Sequence, residues 1–224
     1  MRHATTACFL FFKKEVNWLV LQYFANHLGR VIPGAGPYDI PVIAPEEYTP
    51  CVWQSFKHVG FSNKRRQTGI HFFLPDCEFE RIWTTTGKYI EALKQFAGVM
   101  SPDFSLFTDW PVAAQIWNHY RKHYLAALLQ EAGAKVYPTI SWSDKRSYAW
   151  CFDGEPVGAT VCVSSVGTQY YETTQRLFLS GYDAMLERLQ PKTILFYGNV
   201  PPECRGNIIP IGYDQLKFRE QTDV

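Results

Sequence analysis

The 224-residue sequence has no CxxC pair, no Walker phosphate-loop sequence, no HExxH helix and no GxSxG serine site. Each absence removes a class of protein. The six cysteines stand singly at Cys8, Cys51, Cys77, Cys151, Cys162 and Cys204, a spacing that suits neither a structural zinc site nor a disulfide framework. Stretches such as TVCVSS set thiols among apolar neighbours, and six reduced thiols are expected. No apolar run approaches the roughly 20 residues that a membrane helix needs. The apolar stretch at 7–12 ends in Lys13-Lys14 and no cleavage-site pattern follows, so the expectation is a cytoplasmic protein without a membrane partner. Net charge is only +1, which gives no general attraction to nucleic acid, although a local basic patch needs no basic total. Repeats and low-complexity segments are also missing.

What is present is core-forming material: 46% of residues are apolar and 16% aromatic, ample for a single domain. Residues 1–69 read as an irregular wrap, because VIPGAGPYDIPVIAPEEYTP is too rich in Pro and Gly for a long helix. From 70 to 200, short β-rich runs alternate with runs of helical period. GIHFFLP, GVMSPDFSLF, KVYPTISW, YAWCFDG, ATVCVSSVG and TILFYGNV read as strands. TTGKYIEALKQF, WPVAAQIWNHYRKHYLAALLQEAG and YETTQRLFLSGYDAMLERLQP read as helices. The longest helix is predicted over 111–131, with Pro111 in its first turn and Gly133 at its C-terminal cap. Its apolar face is predicted to be Ala113, Ile116, Trp117, Tyr120, Tyr124, Leu125 and Leu128. The fold class is therefore α/β: a mostly parallel sheet with covering helices, either an open sheet or an incomplete, modified β/α barrel. Residues 201–224 read as a C-terminal extension of the same domain.

Ligands of parallel β/α folds bind beyond the carboxyl ends of the strands. That rule gives a reason for two aspartates in SPDFSLFTDWP, where a buried carboxylate would otherwise cost several kcal/mol. Asp103 sits at a strand end and Asp109 in the loop before the helix. They are candidates for general acid and base, or for holding a divalent metal, against the plainer readings of turn stabilisation and helix capping. The other strand ends bring Trp142, Ser165 with Gly167, and Tyr197 to the same surface. The Ser165–Gly167 turn precedes a helix and is a candidate phosphate contact, without the lysine of a full phosphate loop. Asn118 and Arg121 share a helix face. Arg121 wants an anion there, and an Arg–Asp bridge with Asp103 or Asp109 is the leading reading, a ligand phosphate the alternative. His119 and His123, at i and i+4, have the spacing of zinc-binding helices, but the glutamate of HExxH is missing and they read as surface histidines. His71 reads as a core residue. A rival set is basic: Lys64, Arg65 and Arg66 in NKRRQ, with Lys145 and Arg146, could meet nucleic acid while Trp142 or Trp150 stacks on bases. No particular metal or cofactor is indicated.

HFFLPDCEFERIW, SPDFSLFTDWP, WNHYRKH, VYPTISW, FDG, SSVG and ILFYG, in that order over roughly 70–200, resemble a family of bacterial, phage and mobile-element proteins known as domain of unknown function number 4417. The family's helix motif often reads Asn-Thr-Tyr-Arg followed by a second basic residue. Here Asn118, Tyr120 and Arg121 fit, while His119 and His123 depart. The resemblance implies a phage, plasmid or integrated element as the source and implies no reaction. Two functional expectations follow. One is an accessory protein that binds, with or without turning it over, a nucleotide or other phosphate-containing ligand at the strand ends, sequestration of an immune signalling nucleotide included. The other is a nucleic-acid-binding protein of replication or maintenance. A purely structural or protein-inhibitory role is a third.

Overall fold

A computed structural model describes residues 31–212; Cys8 and the second half of the 201–224 extension lie outside them. A short antiparallel hairpin, β1 (Gly34–Ala35) and β2 (Ile40–Pro41), is followed by β3 (Val52–Ser55) and β4 (Thr68–His71). Three short helices come next, α1 (Asp76–Phe79), α2 (Arg81–Thr84) and α3 (Thr86–Leu93), then β5 (Gly98–Met100). The remaining elements are α4 (Val112–Glu131), β6 (Val136–Tyr137), β7 (Thr160–Ser164), α5 (Glu172–Leu189), β8 (Thr193–Tyr197) and β9 (Ile208–Ile211).

β3, β4, β5 and β6 pair in that order, all parallel, and so do β7, β8 and β9. A single parallel bridge between Thr139 and Cys162 links the two groups. Strand order thus follows chain order throughout, the arrangement of a β/α barrel rather than of a doubly wound sheet with a reversal. Among the described residues β3 and β9 do not pair, so the barrel is incomplete. Their side chains nonetheless meet: Trp53, Met100, Tyr137, Cys162, Leu195, Tyr197 and Ile211, from six strands, share one apolar cluster with Phe73. A sheet whose first and last strands reach one cluster is strongly curled.

Period-two alternation explains the division of the core. Cys162, Leu195 and Tyr197 point into the curl. Val161, Val163, Ile194 and Phe196 point outward against Phe178, Tyr182, Met185 and Leu189 of α5. Strands buried on both faces read as unbroken apolar runs, as TILFY does.

The sheet starts at Val52, well before residue 70, and runs to Ile211. Several predicted strands are shorter than expected. GVMSPDFSLF pairs only through Gly98–Met100, after which Pro102, with no N–H to give, leads the chain out of the ladder. YAWCFDG is no strand. The preceding Asp144 accepts the Arg146 amide while its carbonyl accepts the Ser147 amide and hydroxyl, winding Ser147–Ala149 into a 3-10 turn. The predicted long helix is present at Val112–Glu131, and Gly133 (φ 88°) takes the left-handed position behind it.

Candidate functional site

A cleft of about 270 Å³ opens at the carboxyl ends of β5, β6 and β7. Asp103, Ser141, Trp142, Ser143, Ser164, Gly167, Thr168 and Thr174 line it, over an apolar wall that includes Leu106, Ile140 and Phe178. No lysine or arginine does. In SPDFSLF, Phe104 and Leu106 are buried while Asp103 and Ser105 are half-buried, so alternation turns the Asp103 carboxyl to the cleft side. Burial pushes that carboxyl up from 3.8 to about 7; the Lys122 ammonium works against the rise and the Asp76 charge adds to it. The indole of Trp142 rests on Phe178 (centroids 5.6 Å apart) and against Gly181, where a methyl group would lie about 2.1 Å from its Nε1.

Behind the cleft, α4 buries a polar stripe as well as Tyr124, Leu125 and Leu128 of its apolar face. Gln115, Asn118, His119, Lys122 and His123 all face inward, while Ala113 and Trp117 are exposed. The surface placement expected for His119 and His123 is wrong: they are 1% and 0% exposed. The physical reason is that each of these side chains has at least one built partner. Lys122 Nζ donates to Glu155 Oε1 (2.7 Å) and to the Thr139 carbonyl (2.8 Å). His123 Nδ1 lies 2.8 Å from the Pro41 carbonyl and its Nε2 2.9 Å from Glu155 Oε1. His119 Nε2 lies 3.2 Å from the Asp153 carbonyl. Gly154 (φ 76°) permits this approach, since a Cβ there would meet the Pro41 carbonyl at 2.6 Å and His123 Nδ1 at 2.9 Å. Burial alone would raise the Glu155 carboxyl, but the Lys122 and His123 charges and hydrogen bonds outweigh it and hold the group below its usual range. Burial, with Lys122 and His123 beside it, drives the His119 imidazole well down and keeps it neutral.

Arg121 does not pair with either aspartate. Its Nη1 bonds Glu80 Oε1, its Nε donates to Asn118 Oδ1 (3.0 Å), and its guanidinium lies 3.7 Å from the Phe104 ring centroid. Asn118 donates in turn to the Ser105 carbonyl (2.7 Å), and the Ser105 hydroxyl and amide donate to Asp76. These residues clamp the 101–107 segment to α4 and to the α1–α2 corner. The carboxylate that satisfies the arginine comes from HFFLPDCEFERIW, 41 positions away in the chain. Asp109 is exposed, does not line the cleft, and makes no cap; Pro111 occupies the N-cap position.

Gly167 borders the cleft, but the neighbouring turn spends its amides internally: Ser165 on the Tyr197 carbonyl, Val166 on Ser164 Oγ, Thr168 on the Ser165 carbonyl. The Ser165 hydroxyl donates to the Asn199 carbonyl (2.6 Å). Tyr197 is buried between His71 and Phe73 and lies outside the cleft lining. His71 is a core residue, as expected.

The basic residues divide. Lys64, Arg65 and Arg66 line an open groove with Lys94, Gln95 and Phe96 at the amino ends of β4 and β5, opposite the cleft. Arg65 lies over the Phe96 ring, 5.6 Å from its centroid, and bonds Gln95. Lys145 and Arg146 are elsewhere, Arg146 tied to Asp144, and Trp150 is buried and unavailable to a base.

Lys122 and Glu155 escape the sequence reading. Glu155 carries no motif. The signal for Lys122 was the stripe Gln115, Asn118/His119, Lys122/His123, which has helical period but polar character, and periodicity cannot say which face turns inward.

Among the described residues no helix is long and apolar enough to cross a membrane. No solved structure matches the chain. The Gene 1 protein of Mycobacterium phage L5 is 34% identical over 177 residues, covering 78% of this chain and 77% of that protein. The Gene 1 protein of Mycobacterium phage D29 is 34% identical over 177 residues, covering 78% of this chain and 65% of its own length. The sequence profile of a domain of unknown function (DUF4417) matches residues 32–214, and to that family, with phage proteins among its relatives, this chain belongs.

Proposed function

We propose that this is a phage accessory protein that binds a nucleoside or nucleotide in the strand-end cleft, in the host cytoplasm. The observation that carries the reading is a carboxyl raised to about 7 at the wall of a small cleft built from hydroxyls and an indole. A group that titrates near neutrality donates or accepts a proton with equal ease, the property wanted of an acid–base residue. Trp142, backed by the buried Phe178, offers an apolar indole face for a base, and Ser141 offers a hydroxyl to ring or sugar polar atoms, while the Ser143 and Thr168 hydroxyls, which donate to Gln115 and to the Ser165 carbonyl, are left as acceptors. With no cation in the lining, a phosphate would project towards solvent rather than be gripped. Holding an immune signalling nucleotide without turning it over falls within this reading. Arg121 and Asn118 serve it by fixing the segment that carries Asp103. Native mass spectrometry of the purified protein, followed by calorimetric titration with common nucleosides and nucleotides, tests it. The expected result is a retained or titratable ligand that Asp103→Asn loses while staying folded. No retained mass and no binding heat with any of them would overturn it.

A second reading has its own observation: the groove that gathers Lys64, Arg65, Arg66 and Lys94 beside Phe96. Such a groove offers cations to the backbone of a single-stranded nucleic acid, while the buried Phe96 ring underlies Arg65 rather than a base. Binding of a labelled oligonucleotide should then weaken steeply with salt and vanish in the Arg65→Glu/Arg66→Glu variant. Equal binding by that variant defeats it.

A further inference from the structure

His119, His123 and Glu155 bring one ligand atom each to within 4.8 Å of one another, in the interior behind the cleft. We propose that these three residues form a site for a first-row divalent cation of the zinc class. The site is separate from the ligand cleft and does not depend on what the cleft binds.

The hydrogen bonds decide which atoms are free. A backbone carbonyl only accepts, so His123 Nδ1, 2.8 Å from the Pro41 carbonyl, carries a proton, and its Nε2 is the atom turned towards Glu155. By the same logic His119 Nε2, 3.2 Å from the Asp153 carbonyl, carries a proton and leaves Nδ1 bare. His119 Nδ1 is fully buried and has no hydrogen-bond partner; neither has Glu155 Oε2. Two unpartnered buried acceptors are costly in a packed interior; one cation would satisfy both and take His123 Nε2 as a third ligand in exchange for the proton that nitrogen shares with Glu155 Oε1.

Both rings meet the outer-shell requirement of histidine ligands. Each gives its second N–H to a backbone carbonyl, which fixes the tautomer and turns the free nitrogen inward. The spacing also fits. Tetrahedral zinc at about 2.0–2.1 Å from each ligand separates ligand atoms by roughly 3.4 Å, inside the observed limit. The rings stand edge to face with centroids 4.4 Å apart, as an i, i+4 pair on one helix allows. Two nitrogens and a carboxylate oxygen suit Zn²⁺, Fe²⁺ or Co²⁺ rather than Mg²⁺ or Ca²⁺, which prefer oxygen alone.

Lys122 occupies only Glu155 Oε1. A cation on Oε2 leaves that ion pair in place, with the ammonium as an outer-shell donor that orients the carboxylate. Because α4, the β2 end and the 153–155 turn each contribute a ligand or an outer-shell carbonyl, the bound cation would fasten these three segments together.

The test uses the full chain, stripped with chelator and dialysed against Co²⁺, which reports its ligand field by visible absorption. One equivalent of Co²⁺ per chain with d–d bands is expected. Glu155→Gln and His119→Ala, each verified as folded by circular dichroism, should lose it. In wild-type protein Zn²⁺ should raise the thermal midpoint above that of the stripped form, a readout that needs no variant. Folded wild-type protein that takes up no Co²⁺ and shows no Zn²⁺-dependent midpoint overturns the site, as does undiminished Co²⁺ binding by folded His119→Ala.

Discussion

Asp103→Asn is a perturbation whose sign depends on pH. The wild-type carboxyl is raised by burial from 3.8 to about 7. Between those values the native state holds a proton that the unfolded chain has released, so native stability falls as pH rises through the window and levels off above it. At about 1.36 kcal/mol per pH unit, the difference amounts to about 4 kcal/mol at neutral and higher pH. An asparagine has the shape of the neutral acid and no charge to bury. Relative to wild type, the variant should therefore gain up to about 4 kcal/mol as pH goes from about 4 to above 7. Had Asp103 been the anion for Arg121, the same change would have stranded a guanidinium and cost roughly 3–5 kcal/mol. Glu80 holds that guanidinium instead, which is why the expected sign reverses. Urea unfolding of both proteins at several pH values measures the difference directly. A difference that stays flat from pH 4 to 8, or one that moves against the variant as pH rises, refutes the assignment.

Lys122→Met removes one partner of a buried ion pair and should cost roughly 3–5 kcal/mol in denaturant unfolding; a loss below about 1 kcal/mol would mean the pair is not buried as described. Gly181→Ala sets a methyl group into the Trp142 indole, so it should destabilise by about 1–3 kcal/mol and reshape the cleft, visible as a shifted tryptophan emission maximum. Thiol counting under denaturing, non-reducing conditions should find all six cysteines reactive; Cys51, Cys77, Cys151, Cys162 and Cys204 are free thiols in the structure, and a count of four or fewer would contradict it.

Much of the architecture is legible in the chain itself, because short β-rich runs alternating with long helical ones admit few parallel solutions. Val112–Glu131 and the strands Thr160–Ser164 and Thr193–Tyr197 lie where pattern alone places them. Gathering Asp103, Trp142 and Gly167 at one strand-end cleft also follows from topology. What the sequence does not contain is orientation and long-range pairing. The helix from 112 to 131 offers an apolar and a polar stripe, and transfer energy favours burying the first. The fold buries Tyr124, Leu125 and Leu128 of the apolar stripe and encloses the polar one around His119, Lys122 and His123 as well, because Glu155, Thr139 and Pro41 arrive from distant segments to satisfy it. Partnership of that kind is settled only when the chain has closed on itself. The same holds for Arg121, whose choice of Glu80 over two nearer aspartates is a matter of where the α1–α2 corner packs. Local pattern determined the longest elements and their order; the tertiary structure decided which polar groups were enclosed together, since the cost of burying each depends on a partner that local sequence does not reveal.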